Sequence, residues 1–127
     1  SHFHCPHCQA ELTNNNEIEF LVDYNNLNFK LHLSATSNIC GHKYDMDTSI
    51  NTGDKVTFQC RSCKSNLQSE KYSDFMEICL RIQEGVTFEV LLSPISGKKI
   101  TYVVMEGEMV KFRDDFFSSV TILNQAG

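Results

Sequence analysis

Apolar residues recur at every second position in four stretches of the chain. Ile18, Phe20 and Val22 form the first set, and Phe29, Leu31 and Leu33 the second. Met76, Ile78, Leu80 and Ile82 form the third, and Phe88, Val90 and Leu92 the fourth. A period of two places each set on one face of a strand. Asn25-Asn26 separates the first two sets and Glu84-Gly85 the last two. Asn and Gly tolerate the positive φ that tight hairpin turns need, so the pattern predicts two β-hairpins. Cys79 is out of phase with its apolar neighbours, which puts it on the other sheet face beside Arg81 as a packed rather than a reactive thiol. Returning strands are expected over residues 56–60, 100–105 and 108–112, with a last strand at 120–123. Helix is expected only as one short turn within residues 66–75.

The alternation is written twice, together with a second signal. FxCxxCxxxL begins at Phe3 with Cys5, Cys8 and Leu12, and again at Phe58 with Cys60, Cys63 and Leu67. Residues 28–34 match residues 87–93, with Ser37 and Ser96 in register, and residues 53–58 match residues 107–112. Where a third knuckle would fall the chain reads Arg113-Asp114-Asp115, so the cysteines occur in two copies only. Matches in the same order point to an ancient duplication. The expected architecture is mainly β, with two tandem β-hairpin units in pseudo-two-fold relation, at about residues 3–59 and 58–114, plus a C-terminal strand. Together they make a single domain over residues 1–127, joined by a zinc-ribbon-like four-cysteine site.

A CxxC pair puts two thiolates on one tight turn, and two such turns complete a tetrahedron. Cys5, Cys8, Cys60 and Cys63 are therefore the expected ligands of one structural zinc ion. Soft sulfur ligands select zinc or iron over calcium and magnesium. Residues 9–59 lie between the two pairs, far more than the loop of a compact zinc ribbon, so this stretch must itself be folded. Four protein thiolates leave no coordination position for water or substrate, which removes the starting point for zinc hydrolysis. Neither motif opens a helix in a βαβ setting, as a thioredoxin-type redox pair would. Rubredoxin-like iron sites also use paired knuckles, but a Gly usually follows the second cysteine, and here Gln9 and Lys64 stand there.

FHCPHCQAEL at the start, GDKVTFQCRSCKSNL in the middle and LLSPISG followed by Thr101-Tyr102 resemble small uncharacterised bacterial proteins with a paired-CxxC, zinc-ribbon-like site. The resemblance covers most of the chain. It carries over only the four cysteines and implies no activity. Arg61-Ser62 inside the second knuckle departs from the CPxC form more usual there, which costs turn rigidity rather than a ligand.

Composition narrows the setting. The chain has 127 residues, 41% of them hydrophobic and 21% charged, an ordinary globular balance for one domain. Its net charge is -5 and its eleven basic residues are scattered, Lys98-Lys99 being the one adjacent pair, which disfavours nucleic acid as a partner. No apolar run is long enough to cross a bilayer, and no leader-like pattern opens the sequence as given. Paired CxxC motifs suit a reducing compartment, so a cytoplasmic location is expected.

The remaining polar residues offer less. His4, His7, His32 and His42 are expected to be exposed or hydrogen-bonded, since four thiolates need no further ligand. Cys40-Gly41-His42 brings a thiol and an imidazole close in sequence without a third orienting group. Ser34, Ser37 and Gly41 in one unit, and Ser93, Ser96 and Gly97 in the other, mark equivalent loops that loop geometry explains as well as ligand binding does. Phe116-Phe117 points one ring inward and one outward on a strand, which leaves a homodimer open. The reading is a non-catalytic zinc protein, an interaction or scaffolding module with a protein partner. The alternatives are a nucleic-acid-associated zinc ribbon and a rubredoxin-like iron electron carrier.

Overall fold

The computed structural model describes residues 2–15, 17–34, 42–44, 50–83, 85–96, 98, 101–105 and 107–111, with backbone alone at 33, 34, 42–44, 83 and 111. These residues form ten strands: β1 (His2–His4), β2 (Thr13–Asn14), β3 (Glu17–Tyr24), β4 (Leu27–Ser34), β5 (His42–Tyr44), β6 (Thr57–Gln59), β7 (Met76–Gln83), β8 (Val86–Leu92), β9 (Thr101–Met105) and β10 (Glu108–Lys111). They build two sheets, one in the order β1-β7-β8-β9-β10 and the other in the order β2-β3-β4-β5 with β6 also paired to β3. Every pairing is antiparallel. The fold is mainly β, and among the described residues no helix is long and apolar enough to cross a membrane.

Both predicted hairpins are present. In the first, β3 pairs with β4 so that Phe20 faces Leu31 and Val22 faces Phe29. Asn25 and Asn26 have φ of 49° and 65°, the double left-handed turn whose twist matches that of the flanking strands. In the second, β7 pairs with β8 so that Ile78 faces Val90 and Leu80 faces Phe88, and the register shifts between Arg81 and Gln83. Gly85 takes φ of 82° at its turn. The alternation holds in burial as well: Ile18, Phe20, Val22, Ile78 and Val90 are fully buried. One apolar cluster takes in residues of both sheets, with Phe20 and Phe58 meeting edge to face at 5.5 Å.

Two expectations are revised. Residues 66–75 hold no helical turn. Ser69 Oγ instead accepts the Tyr72 N–H at 3.0 Å, and Ser69 N–H donates to the Phe75 carbonyl at 2.9 Å, which closes a compact loop. The returning strand expected at 56–60 is shorter, at Thr57–Gln59, whereas those expected at 100–105 and 108–112 are present at Thr101–Met105 and Glu108–Lys111; the expected strand at 120–123 and the pair Phe116-Phe117 lie outside the described residues. Leu91, on the opposite face of β8 from Val90 and Leu92, is also fully buried. Its face carries Glu77, Glu89 and Tyr102, and the loop 69–75 lies over it. Ser69 Oγ bonds Glu77 at 2.7 Å, Lys71 pairs with Glu89 at 3.1 Å, and Phe75 packs on Tyr102 at 5.5 Å.

The pairing of the short strands positions the site. β1 precedes the first knuckle but pairs with β7 of the second hairpin, Phe3 facing Leu80. β6 precedes the second knuckle but pairs with β3 of the first hairpin, Phe58 facing Val22. Each knuckle therefore starts in one sheet and ends in the other. The first runs from β1 to β2, and the second from β6 to a bridge between Gln68 and Met76 on β7. The backbone demand at the first hairpin turn is testable. Asn26→Val puts a β-branched residue at a left-handed position and should cost about 1–2 kcal/mol, read as a lower midpoint in urea unfolding.

Candidate metal centre

Each knuckle is built from a short list of backbone bonds. In the first, Cys5 N–H donates to the Ala10 carbonyl at 2.9 Å and Gln9 N–H to the Cys5 carbonyl at 3.0 Å. In the second, Cys60 N–H donates to the Ser65 carbonyl at 3.1 Å and Lys64 N–H to the Cys60 carbonyl at 2.9 Å. The flanks match too. Leu12 N–H reaches the Phe3 carbonyl at 2.7 Å and Leu67 N–H the Phe58 carbonyl at 2.9 Å. Within each turn an amide is aimed at the first sulfur: His7 N–H at Cys5 Sγ and Ser62 N–H at Cys60 Sγ, both at 3.3 Å. These bonds stabilise a thiolate without any contribution from a side chain.

The turn needs a left-handed residue after the second cysteine, where knuckles commonly use Gly. Gln9 and Lys64 meet that need with φ of 65° and 59°, at a cost of about 1 kcal/mol each. The Gln9 side chain offsets part of this by donating to the Pro6 carbonyl at 3.2 Å. The departure noted in the sequence therefore adds strain without altering the turn.

The four sulfurs of Cys5, Cys8, Cys60 and Cys63 all lie within 4.8 Å of one another. Cys5 Sγ is 3.9 Å from Cys63 Sγ, and Cys8 Sγ is 3.7 Å from Cys60 Sγ. Four sulfurs at about 2.3 Å from a tetrahedral zinc are separated by roughly 3.8 Å, so the cluster has the size of one ion's ligand shell. The same distances exclude disulfides, and all four are free thiols. Cys5 and Cys60 are fully buried, whereas Cys8 and Cys63 face outward.

Without an ion this cluster is electrostatically uneven. Burial pushes the Cys5 thiol up to about 12. The Ala10 backbone draws Cys8 down, but desolvation and the Cys60 and Cys63 thiols outweigh it, leaving Cys8 above its ordinary value. Hydrogen bonds from the side chain and backbone of Ser65 bring Cys63 down to about 6. A divalent cation would resolve the conflict, because it would supply the positive charge that four converging thiolates require.

Arg61 has a role the sequence did not disclose. Its Nη1 donates to Glu19 Oε2 at 2.8 Å and its Nη2 to the Glu11 carbonyl at 3.0 Å, which fastens the second knuckle to β3 and to the chain leaving the first knuckle. Lys30 Nζ approaches the other Glu19 oxygen at 3.3 Å. Burial alone would raise the Glu19 carboxyl, but the bonds from Arg61 and Lys30 overcome it and hold it below its ordinary value. Their stabilisation is present above the unfolded carboxylate range and is lost as pH falls through the lowered folded value.

The other singled-out residues do not converge on the cluster. His4 Nδ1 is 3.2 Å from the Gln9 carbonyl, His32 lies 3.7 Å from Glu17, and His7 is exposed. Cys79 faces His4 and Glu89 across its strand pairs and sits above its ordinary value through burial. Ser93 is buried and its Oγ accepts the Ile95 N–H at 3.2 Å, a loop-closing role, while the Ser96 N–H donates to the Asp54 carbonyl at 2.8 Å. Ser37, Cys40, Gly41 and Gly97 lie outside the described residues, as do the side chains of Ser34 and His42.

Two substitutions test these assignments. Lys64→Gly relieves the left-handed strain and should raise stability by about 1 kcal/mol, a rise of a few degrees in Tm. Arg61→Ala leaves Glu19 buried with one partner fewer and should cost about 2 kcal/mol, measured at neutral pH, where the carboxylate is ionised. Comparison of the chain with protein-family models, curated proteins and solved structures finds no match.

Proposed function

We propose that the chain is a non-catalytic, structural-zinc-binding protein that works as an interaction or scaffolding module for a protein partner. One observation carries the reading: four cysteine sulfurs, spread over two distant turns, stand at the mutual separations of a single tetrahedral shell. A shell filled by four protein thiolates has no position for a substrate, which supports a structural role for the ion. Zinc is favoured by the all-sulfur, tetrahedral donor set. The repeated knuckle bonds and the exchanged strands β1 and β6 support the further proposal that two hairpin units arose by duplication and share one ion. A zinc-ribbon-like relationship to small bacterial proteins and a cytoplasmic setting fit this reading, the second because free paired thiols persist in a reducing compartment.

The metal reading predicts one zinc per chain in protein purified from its native host. Cys60→Ser should lose that zinc and unfold at ordinary temperature, because structural zinc contributes about 10–16 kcal/mol in small domains, comparable with a whole domain's stability. A strong chelator should produce the same loss of far-UV and amide-exchange signatures in the unaltered protein. Since Cys5 without metal is a thiol at neutral pH, metal uptake releases protons and apparent affinity should fall as pH is lowered. The module reading is tested by capture from native lysate with the zinc-loaded protein as bait. A defined protein retained by the loaded chain supports it, whereas turnover of a defined substrate with no protein retained rejects it.

A further inference from the structure

Of the differences between the two knuckles, the one directly after the first cysteine leaves a space. Arg61, the second residue of its CxxC, reaches across to the carboxylate of Glu19. Glu19 is held there by its own N–H, which donates to the Leu12 carbonyl at 2.9 Å. The matching amide in the other half is that of Glu77, which donates to the Leu67 carbonyl at 2.8 Å. Glu77 is therefore presented to the first knuckle as Glu19 is presented to the second. The first knuckle, however, carries Pro6 where the second carries Arg61. In place of a guanidinium there is an open cavity of about 240 Å³ lined by Pro6, His7, Ser69, Glu70, Lys71 and Glu77.

The charge balance around this cavity also differs from that at the filled position. Glu19 has two cationic neighbours, Arg61 and Lys30. Glu77 receives a hydrogen bond from Ser69 Oγ at 2.7 Å, and the nearby cation Lys71 is engaged with Glu89 Oε1 at 3.1 Å. The second oxygen of Glu89 is buried without a hydrogen-bond partner. The surroundings of Glu77 thus hold more carboxylate than ammonium, in a chain whose net charge is already -5. The space is too small for a drug-sized ligand and suits one side-chain head group. A planar guanidinium fits the carboxylate geometry better than an ammonium, because its fork can bond two acceptors at once.

We propose that this cavity receives the arginine side chain of a partner protein, with Glu77 as its carboxylate anchor. The proposal deepens the interaction-module reading by naming the partner's chemistry at one contact. Arginine enters from outside where Arg61 serves from within, so the first knuckle is left open on the side that the second closes.

The test is an amide NMR titration of the zinc-loaded protein with Nα-acetyl-arginine methylamide, with the lysine analogue in parallel. Saturable shifts at residues 67–71 and 77 are expected with the arginine probe, and binding several-fold weaker with the lysine probe. Glu77→Gln should weaken the arginine probe by about tenfold or more, the loss of one charge-assisted pair. Pro6→Arg should fill the cavity from within and abolish probe binding while zinc content stays at one per chain. Glu77→Gln, which leaves the knuckle intact, keeps the test decisive if Pro6→Arg fails to fold. No saturable shift, or equal affinity in the unaltered protein and Glu77→Gln, overturns the proposal. These outcomes concern the cavity alone: a failed probe with a partner captured from lysate rejects the arginine site, and a bound probe with no partner rejects the module.

Discussion

Two segments of the chain have to be held where they pass between the sheets. Each knuckle leaves a strand of one sheet and enters the other sheet, so neither can be secured by the ladder it started from. The four sulfurs meet at that crossing, with Cys5 and Cys60 buried in the apolar cluster and Cys8 and Cys63 at its rim. An ion coordinated there would link both sheets through covalently anchored ligands. In its absence the crossing is left with converging thiols, one pushed up to about 12 and another drawn down to about 6. The exchanged pairings, Phe3 opposite Leu80 and Phe58 opposite Val22, are then held only by their own short ladders and by packing.

The near-equivalence of the halves sharpens the meaning of their differences. Backbone bonds recur almost one for one, because a knuckle has little freedom once two sulfurs must converge. Side chains recur less. Arg61 ties its knuckle to Glu19 and the Glu11 carbonyl, whereas Pro6 makes a stiffer turn and no such tie. On the second sheet Lys30 supports Glu19, while on the first Lys71 comes from the loop 69–75 to serve Glu89. One half satisfies its carboxylate internally and the other leaves Glu77 beside an open cavity.

The features legible in the sequence were those set by local geometry. CxxC spacing marked the four cysteines, and alternation placed Ile18, Phe20, Val22, Ile78, Leu80 and Val90 on buried faces. Asn25-Asn26 marked its turn because few residue pairs accept two positive φ values. What escaped was set by distant partners. The choice of β7 for β1 and of β3 for β6 rests on packing across the core, which a period of two does not encode. The burial of Leu91 depends on a loop that Ser69, Lys71 and Phe75 fasten above its face, which alternation does not encode. Arg61 reads as a departure from CPxC until Glu19, far away in the chain, supplies its partner.

The claim on which these points rest is that a single ion binds all four sulfurs. Zinc-edge X-ray absorption of the purified native protein measures this directly. The account predicts one zinc per chain with four sulfur neighbours at about 2.3 Å and no oxygen or nitrogen in the shell. A mixed shell, fewer than four sulfurs, or a metal-free protein that keeps its fold would contradict it.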